Sequence, residues 1–362
     1  MKPATMLSST QLDGLLHDLL AAGVEIIGPA RGRDGRIDYQ SLTSPEALVL
    51  DGGVPRRSLK STFLPATEPL FAWRLKRGDV EIESVPTSFA PRVVIGARPC
   101  DAAGVEVLDR VMGWDYRDEL WFGRRAATTL LVVACDGGDR SCFCTSVGLG
   151  PDATRGADVR LVPVPGGFRV DILSEKGERF AAMHADRFAT AGEIPEAEAF
   201  LSQARSRHLA PWGGSPAAVE RWLGEHFEHE LWGEVALRCH GCGACAAVCP
   251  TCHCFDIVDE PDGVMHGTRR RNADTCQTAR FTVHASGHNP RADQAARLRQ
   301  RVRHKFQIYP SRFGQVLCTG CGRCSRACPG GVDLPEILTR LEALAGPTAG
   351  DTPLTSVAGG VA

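Results

Sequence analysis

Two stretches of the chain carry residue types at spacings that can do chemistry. Cys239, Cys242, Cys245 and Cys249 follow the order C-x2-C-x2-C-x3-C, closed by Pro250, and Cys318, Cys321, Cys324 and Cys328 repeat it up to Pro329. Thiolates spaced in this way grip three corners of a [4Fe-4S] cube, while the fourth cysteine crosses to a second cube. The two-residue steps make tight turns in which Gly241, Gly243, Gly320 and Gly322 permit close backbone approach. The proline then ends each turn. On this reading Cys239, Cys242, Cys245 and Cys328 hold one cluster, and Cys318, Cys321, Cys324 and Cys249 hold another. Zinc is the competing metal, but it needs only paired C-x2-C units and leaves the third cysteine and the Cys-Pro step unexplained in both copies.

Four further cysteines end strand-like runs in the first half. Arg92 to Ala97 is followed by Arg98-Pro99-Cys100-Asp101, and Thr128 to Ala134 by Cys135, then Cys142 and Cys144 after a Gly-rich loop. Apolar runs joined by a helical pattern (Val105, Val107, Leu108, Val111, Met112) predict a β-α-β unit with buried parallel strands. Asp101 is the expected helix cap. Ligands gather at the carboxyl ends of such strands, so Cys100, Cys135, Cys142 and Cys144 are candidate ligands of a third [4Fe-4S] cluster. Against this stands the ordinary use of buried cysteine as a small hydrophobe, or zinc.

The elements that must position these thiols are those of a globular protein. At 362 residues the chain is long enough for two cores. A net charge of -2 gives no reason to expect nucleic acid or anionic membrane as partner. Fifteen clustered cysteines behind no recognisable signal peptide argue against a disulfide framework and for a reduced, cytoplasmic protein. Apolar runs fall well short of the roughly 20 residues of a membrane span.

Along the chain, Ser8 to Thr10 offers a cap to a helix carrying Leu12, Leu15, Leu16 and Leu19. Strands are expected at 24–27 and 36–39, and no regular period appears between Ser58 and Trp73. A hairpin is expected over 159–172, and helices near 178–188 and 195–207. The run Pro211 to Pro216 breaks composition. It divides an α/β (or α+β) domain at 1–212 from a mainly α-helical ferredoxin-like domain at 213–345, with a flexible tail over 346–362. The insert between the motifs reads as largely helical. Within it Cys252, Cys254 and Cys276 are surplus to the twelve candidate ligands, so packing beside a cluster is the expected role. Three uses stand open for the basic run Arg291, Arg297, Arg299, Arg301, Arg303, His304 and Lys305: a solvated helix face, charge beside the clusters, or a dock for an acidic electron carrier.

Ala97-Arg-Pro-Cys-Asp101, Cys142-Phe-Cys-Thr145, Cys249-Pro-Thr-Cys-His-Cys-Phe255 and His304-Lys-Phe306 resemble the iron-sulfur β subunit of soluble sulfhydrogenase-type [NiFe] hydrogenases. They are similar also to the iron-sulfur electron-transfer subunit of anaerobic sulfite reductase. The resemblance runs from about residue 55 to about 340 in the same motif order. It implies an electron-transfer subunit with no bond-making of its own. Its implied partners are one FAD/NAD(P)-binding subunit, one small iron-sulfur subunit and one [NiFe] large subunit, or else a sirohaem sulfite reductase subunit. Ala273-Asp274-Thr275-Cys276 departs from the pattern, which has an aromatic residue before the Asp. Two rivals stand beside this reading: a sulfur or polysulfide reductase using Cys252, Cys254 or Cys276 as a redox thiol, and a zinc-stapled interaction module.

Overall fold

A computed structural model describes residues 4–85 and 88–346; the tail assigned beyond Gly346 lies outside the described residues. Twelve strands are present among them: β1 (Ala4–Ser8), β2 (Glu25–Arg31), β3 (Ile37–Ser41), β4 (Thr67–Lys76), β5 (Asp79–Ser84), β6 (Arg92–Ala97), β7 (Thr128–Val133), β8 (Val159–Val164), β9 (Gly167–Ile172), β10 (Ala189–Ala191), β11 (Phe255–Pro261) and β12 (His266–Ala273).

Eight of them form one sheet in the order β10-β1-β9-β8-β7-β6-β2-β3. At its centre β2, β6, β7 and β8 run parallel, and antiparallel strands close both edges. Both faces of the central strands are covered, as their near-continuous apolar runs require. Val94, Leu130 and Val132 face a core with Val105, Leu108 and Trp121, from helices Pro99–Met112 and Glu119–Ala127. Their neighbours Val93, Ile95, Leu131 and Val133 face the leucines of helix Ser9–Ala21 and Phe180 of helix Glu175–Met183. The expected β-α-β unit is therefore present, as are the helix capped by Ser8 and the β8-β9 hairpin.

The insert between the two cysteine motifs is not mainly helical. Its first part is the β11-β12 hairpin, and β12 pairs with β4 to build a four-stranded antiparallel sheet, β11-β12-β4-β5. The irregular stretch before Trp73 likewise holds a short helix, Lys60–Phe63, and the start of β4. Segments some two hundred residues apart thus share one sheet, fastened by buried Glu68 of β4, which pairs with Arg271 of β12 and with Arg124.

Helices Pro216–Glu225, Leu231–Ala236, Gln294–Arg303 and Leu334–Ala345 pack around Trp222, Trp232, Val302 and Leu338. Phe143 from the Cys142–Cys144 loop joins this helical core, its ring 6.3 Å from that of Trp212. Among the described residues no helix is long and apolar enough to cross a membrane.

Candidate metal centres

The strand ends and motif turns bring the candidate cysteines together in three cavities. Cys239, Cys242, Cys245 and Cys328 line the first, about 510 Å3 of empty space, with Cys324 and Arg301 on its wall. Cys318, Cys321, Cys324 and Cys249 line the second, about 280 Å3. Cys328 thus faces the cysteines of the earlier motif, and Cys249 those of the later one. Cys100, Cys135, Cys142 and Cys144 line the third, about 380 Å3, joined by His208. Cys100 lies in the first turn of the helix after β6, Cys135 two residues beyond β7.

The cavities adjoin. Cys321 lines the second and third, and its thiol interacts with that of Cys100. Cys324 and Arg301 line the first and second. The order along the molecule is therefore third, second, first. At the far end, exposed Cys242 also borders a large open cleft.

Glycines at positive φ let these walls meet. The carbonyl of Gly320 (φ +61°) accepts from the Phe143 amide at 2.7 Å. A Cβ there would stand 2.5 Å from the Cys144 backbone, closer than real Cβ atoms come. Gly320→Ala is expected to cost more than the ~1 kcal/mol of an ordinary glycine change, because the clash is with main chain. Urea unfolding should show the loss, and metal analysis should show the third cavity depleted before the first.

Burial pushes the thiols of Cys135, Cys142, Cys245 and Cys324 up, and those of Cys144 and Cys318 up to about 12. Left alone, such thiols stay protonated; a metal cation that binds them must displace those protons. Two buried cations stand among them. Lys305 donates from Nζ to Cys249 Sγ (3.4 Å), Thr251 Oγ1 (2.9 Å) and the Leu317 carbonyl (3.0 Å). It lies where helix Gln294–Arg303 loosens into a single π-turn over 304–308, which turns Lys305 and Phe306 inward.

Arg301 is 4 % exposed and has no carboxylate partner among the described residues. Burial opposes its charge, but the sulfurs of Cys245, Cys324, Cys252 and Cys249 outweigh that and hold its pKa well above the ordinary value. Its Nε and Nη2 have no hydrogen-bond partner, which is costly in a dry interior. Both cavities it lines would present anionic sulfur if they held clusters, so the orphaned guanidinium fits that group.

No three or more of the described Cys, His, Asp or Glu side chains are grouped to hold a single ion. A tetrahedral zinc site, with Zn-S of about 2.3 Å, draws all its sulfurs onto one point. These thiols stand around voids, an arrangement that suits a multi-iron group better.

The basic run divides three ways. Arg301 and Lys305 are buried beside sulfur. Arg297 donates to the carbonyls of Arg291 and Ala292. Arg299 and Arg303 lie over the Phe227 ring at 3.8 and 4.4 Å. Asp101 does not cap its helix, since Arg98 holds the cap position. Instead it accepts from Arg323 at 2.7 Å, both side chains being fully buried.

Sequence reasoning passed over Arg323 and His208. The signal for Arg323 was its place inside the second motif, where the first has Ala244. His208 approaches Cys144 Sγ at 3.6 Å through Nε2, its Nδ1 lying 2.9 Å from the Gly137 carbonyl; nothing in the local sequence marked it. Of the surplus thiols, Cys252 interacts with Cys249, and Cys254 with Cys276.

Residues 238–332 match the family model of the 4Fe-4S dicluster domain. The chain is also similar to sulfhydrogenase 2 subunit beta of Pyrococcus furiosus, with 28% identity over 319 residues, covering 86% of this chain and 91% of that protein.

Proposed function

We propose that the chain, similar to a sulfhydrogenase β subunit and carrying a 4Fe-4S dicluster domain, is a β subunit of this kind and relays single electrons across three [4Fe-4S] sites in a hydrogenase-type complex. The observation that carries this reading is the chain of three adjoining cysteine-lined cavities, linked by Cys321 and by Cys324 with Arg301. A [4Fe-4S] cluster supplies one-electron transfer, with a potential set by its surroundings. The protein's own residues do the rest. Cys239, Cys242, Cys245 and Cys328 would hold the first cluster, Cys318, Cys321, Cys324 and Cys249 the second, and Cys100, Cys135, Cys142 and Cys144 the third. Apolar helices around Trp222, Trp232 and Phe306 exclude water from the interior, and Arg301 and Lys305 bring positive charge to the buried sulfurs.

The partners that fit this role are one FAD/NAD(P)-binding subunit, one small iron-sulfur subunit and one [NiFe] large subunit, in the cytoplasm. A sirohaem sulfite reductase subunit is the other candidate terminus. The terminal catalyst lies on another chain in both cases, so affinity purification under anaerobic conditions decides between them: nickel in the purified complex is the expected result, and sirohaem redirects the assignment.

Anaerobic purification of the full chain should give about twelve iron and twelve sulfide per polypeptide. Cys135→Ser should remove about four of each and leave the EPR signals of the other two sites in place. About eight iron in the wild-type chain would limit the relay to two sites, and zinc in place of iron would end the reading altogether.

A further inference from the structure

Two of the three cysteines left over by the relay line the large cleft that borders Cys242. Cys252 and Cys254 lie on its wall, facing Arg56, Arg57 and Lys60 across about 2410 Å3 of empty space. Arg57 and Lys60 have no carboxylate partner among the described residues; the Lys60 ammonium donates only to the Ala246 carbonyl, at 3.0 Å. The Cys254 thiol interacts with that of buried Cys276. The backbone imposes this contact. Phe255 pairs with Ala273 in the β11-β12 ladder, and the Asp274 amide donates to the Cys254 carbonyl at 3.0 Å, so the two cysteines close the open end of one hairpin. Cys276 is 9 % exposed and accepts from Gln277 Nε2 at 3.5 Å.

We propose that Cys254 and Cys276 form a two-electron dithiol/disulfide couple that serves this cleft, and that its substrate is a small disulfide carrying negative charge. The inference rests on the reading of the chain as a one-electron relay and adds to it a terminus that transfers electrons in pairs. The cationic wall recognises the anionic ends of the ligand, and Cys254 is the sulfur that reaches it.

The two thiols in contact titrate as a unit. Shared hydrogen bonding to the Cys254 thiol brings Cys276 down to about 6 and drives Cys254 up, so the pair carries one negative charge at neutral pH. Passing its proton to the Cys276 sulfur, Cys254, which lies on the cleft wall, becomes the thiolate that attacks one sulfur of R-S-S-R. The Cys254-S-R bond forms, the substrate bond breaks, and R-S⁻ leaves and takes up a proton. Cys276, deprotonated in turn, attacks Cys254 Sγ, forms the Cys254-Cys276 disulfide and expels the second R-S⁻. The substrate gains two electrons from the couple and leaves as two thiols; the couple supplies one of the two protons and water in the cleft the other. Regeneration of the singly charged pair takes two electrons, delivered singly by the reduced relay, and one proton from water in the cleft. Cys252, which touches both the cleft and Cys249, marks where the relay comes nearest.

Oxidised glutathione, an anionic disulfide, is the probe. The full iron-loaded chain, photoreduced with a deazaflavin, should release thiol from it catalytically. Cys254→Ser and Cys276→Ser should each lower that rate at least about tenfold with iron content and visible spectrum unchanged. Arg57→Ala with Lys60→Ala should raise KM and spare kcat. Differential alkylation of the oxidised wild-type chain should find Cys254 and Cys276 linked to one another. Serine variants that keep the wild-type rate, or an oxidised chain in which both thiols stay free, overturn the couple. If instead the relay reading is at fault, dithiothreitol-reduced chain still exchanges with the probe while photoreduction does not drive it.

Discussion

Arg301→Gln should lower the midpoint potentials of the first and second sites by roughly 100 mV and leave the third nearly unmoved. At an effective dielectric constant of about 20 a unit charge contributes about 4 kcal/mol at 4 Å and about half that at 8 Å, and about 1.4 kcal/mol corresponds to 59 mV for one electron. The sign follows from charge: reduction makes a site more negative, a buried cation favours that state, and its removal lowers the potential. Arg301 lines the first and second cavities and not the third, so the effect is confined to two of three signals. EPR-monitored redox titration of the purified chain reads all three together. Arg301→Lys, which keeps the charge, should recover most of the shift. Equal displacement of all three potentials, or of none, would show that the orphaned guanidinium does not act on these sites.

How far the sequence disclosed this arrangement depends on which physical signal each element carries. The repeated cysteine motif was legible because its spacing is dictated by the object it would grip. The β6-helix-β7 unit was legible because strands buried on both faces are continuously apolar. The β11-β12 hairpin was not. β11 is mostly exposed and β12 half-buried, with few apolar positions to alternate against the run Arg269-Arg270-Arg271, and the sheet depends on β4, some two hundred residues away. Arg301 and Lys305 could not be told apart from the rest of the basic run, because what buries them is neighbouring sulfur and not a carboxylate that spacing could reveal. Asp101 looked like a helix cap for the same reason: its partner Arg323 lies in the other cysteine-rich half of the chain.

That partnership sets the second large effect. Arg323→Ala should lower the unfolding free energy by about 3–5 kcal/mol, the usual loss when one member of a buried ion pair is removed. The guanidinium donates to Asp101 Oδ2 (2.7 Å) and the Pro55 carbonyl (2.9 Å), and its Nη1 is 3.7 Å from Cys100 Sγ. Asp101 in turn accepts from the Tyr39 hydroxyl (2.7 Å) and the Leu59 amide (3.2 Å). One side chain of the second motif therefore fastens three segments of the α/β half: β3, the stretch from Pro55 to Leu59, and the helix that presents Cys100. The first motif folds its equivalent turn with Ala244 in that position, so alanine itself is compatible with the cysteine loop. The loss should fall on the junction and not on the turn. Urea unfolding followed by tryptophan fluorescence should report the destabilisation. Iron analysis of the still-folded variant should find the third site depleted while the first stays filled. Replacing Asp101 by Leu in the same chain should restore part of the stability, since it removes the stranded buried carboxylate. If Arg323→Ala unfolds like wild type, the ion pair is not what joins the two halves. If all three sites empty together, Arg323 supports the motif and not the junction.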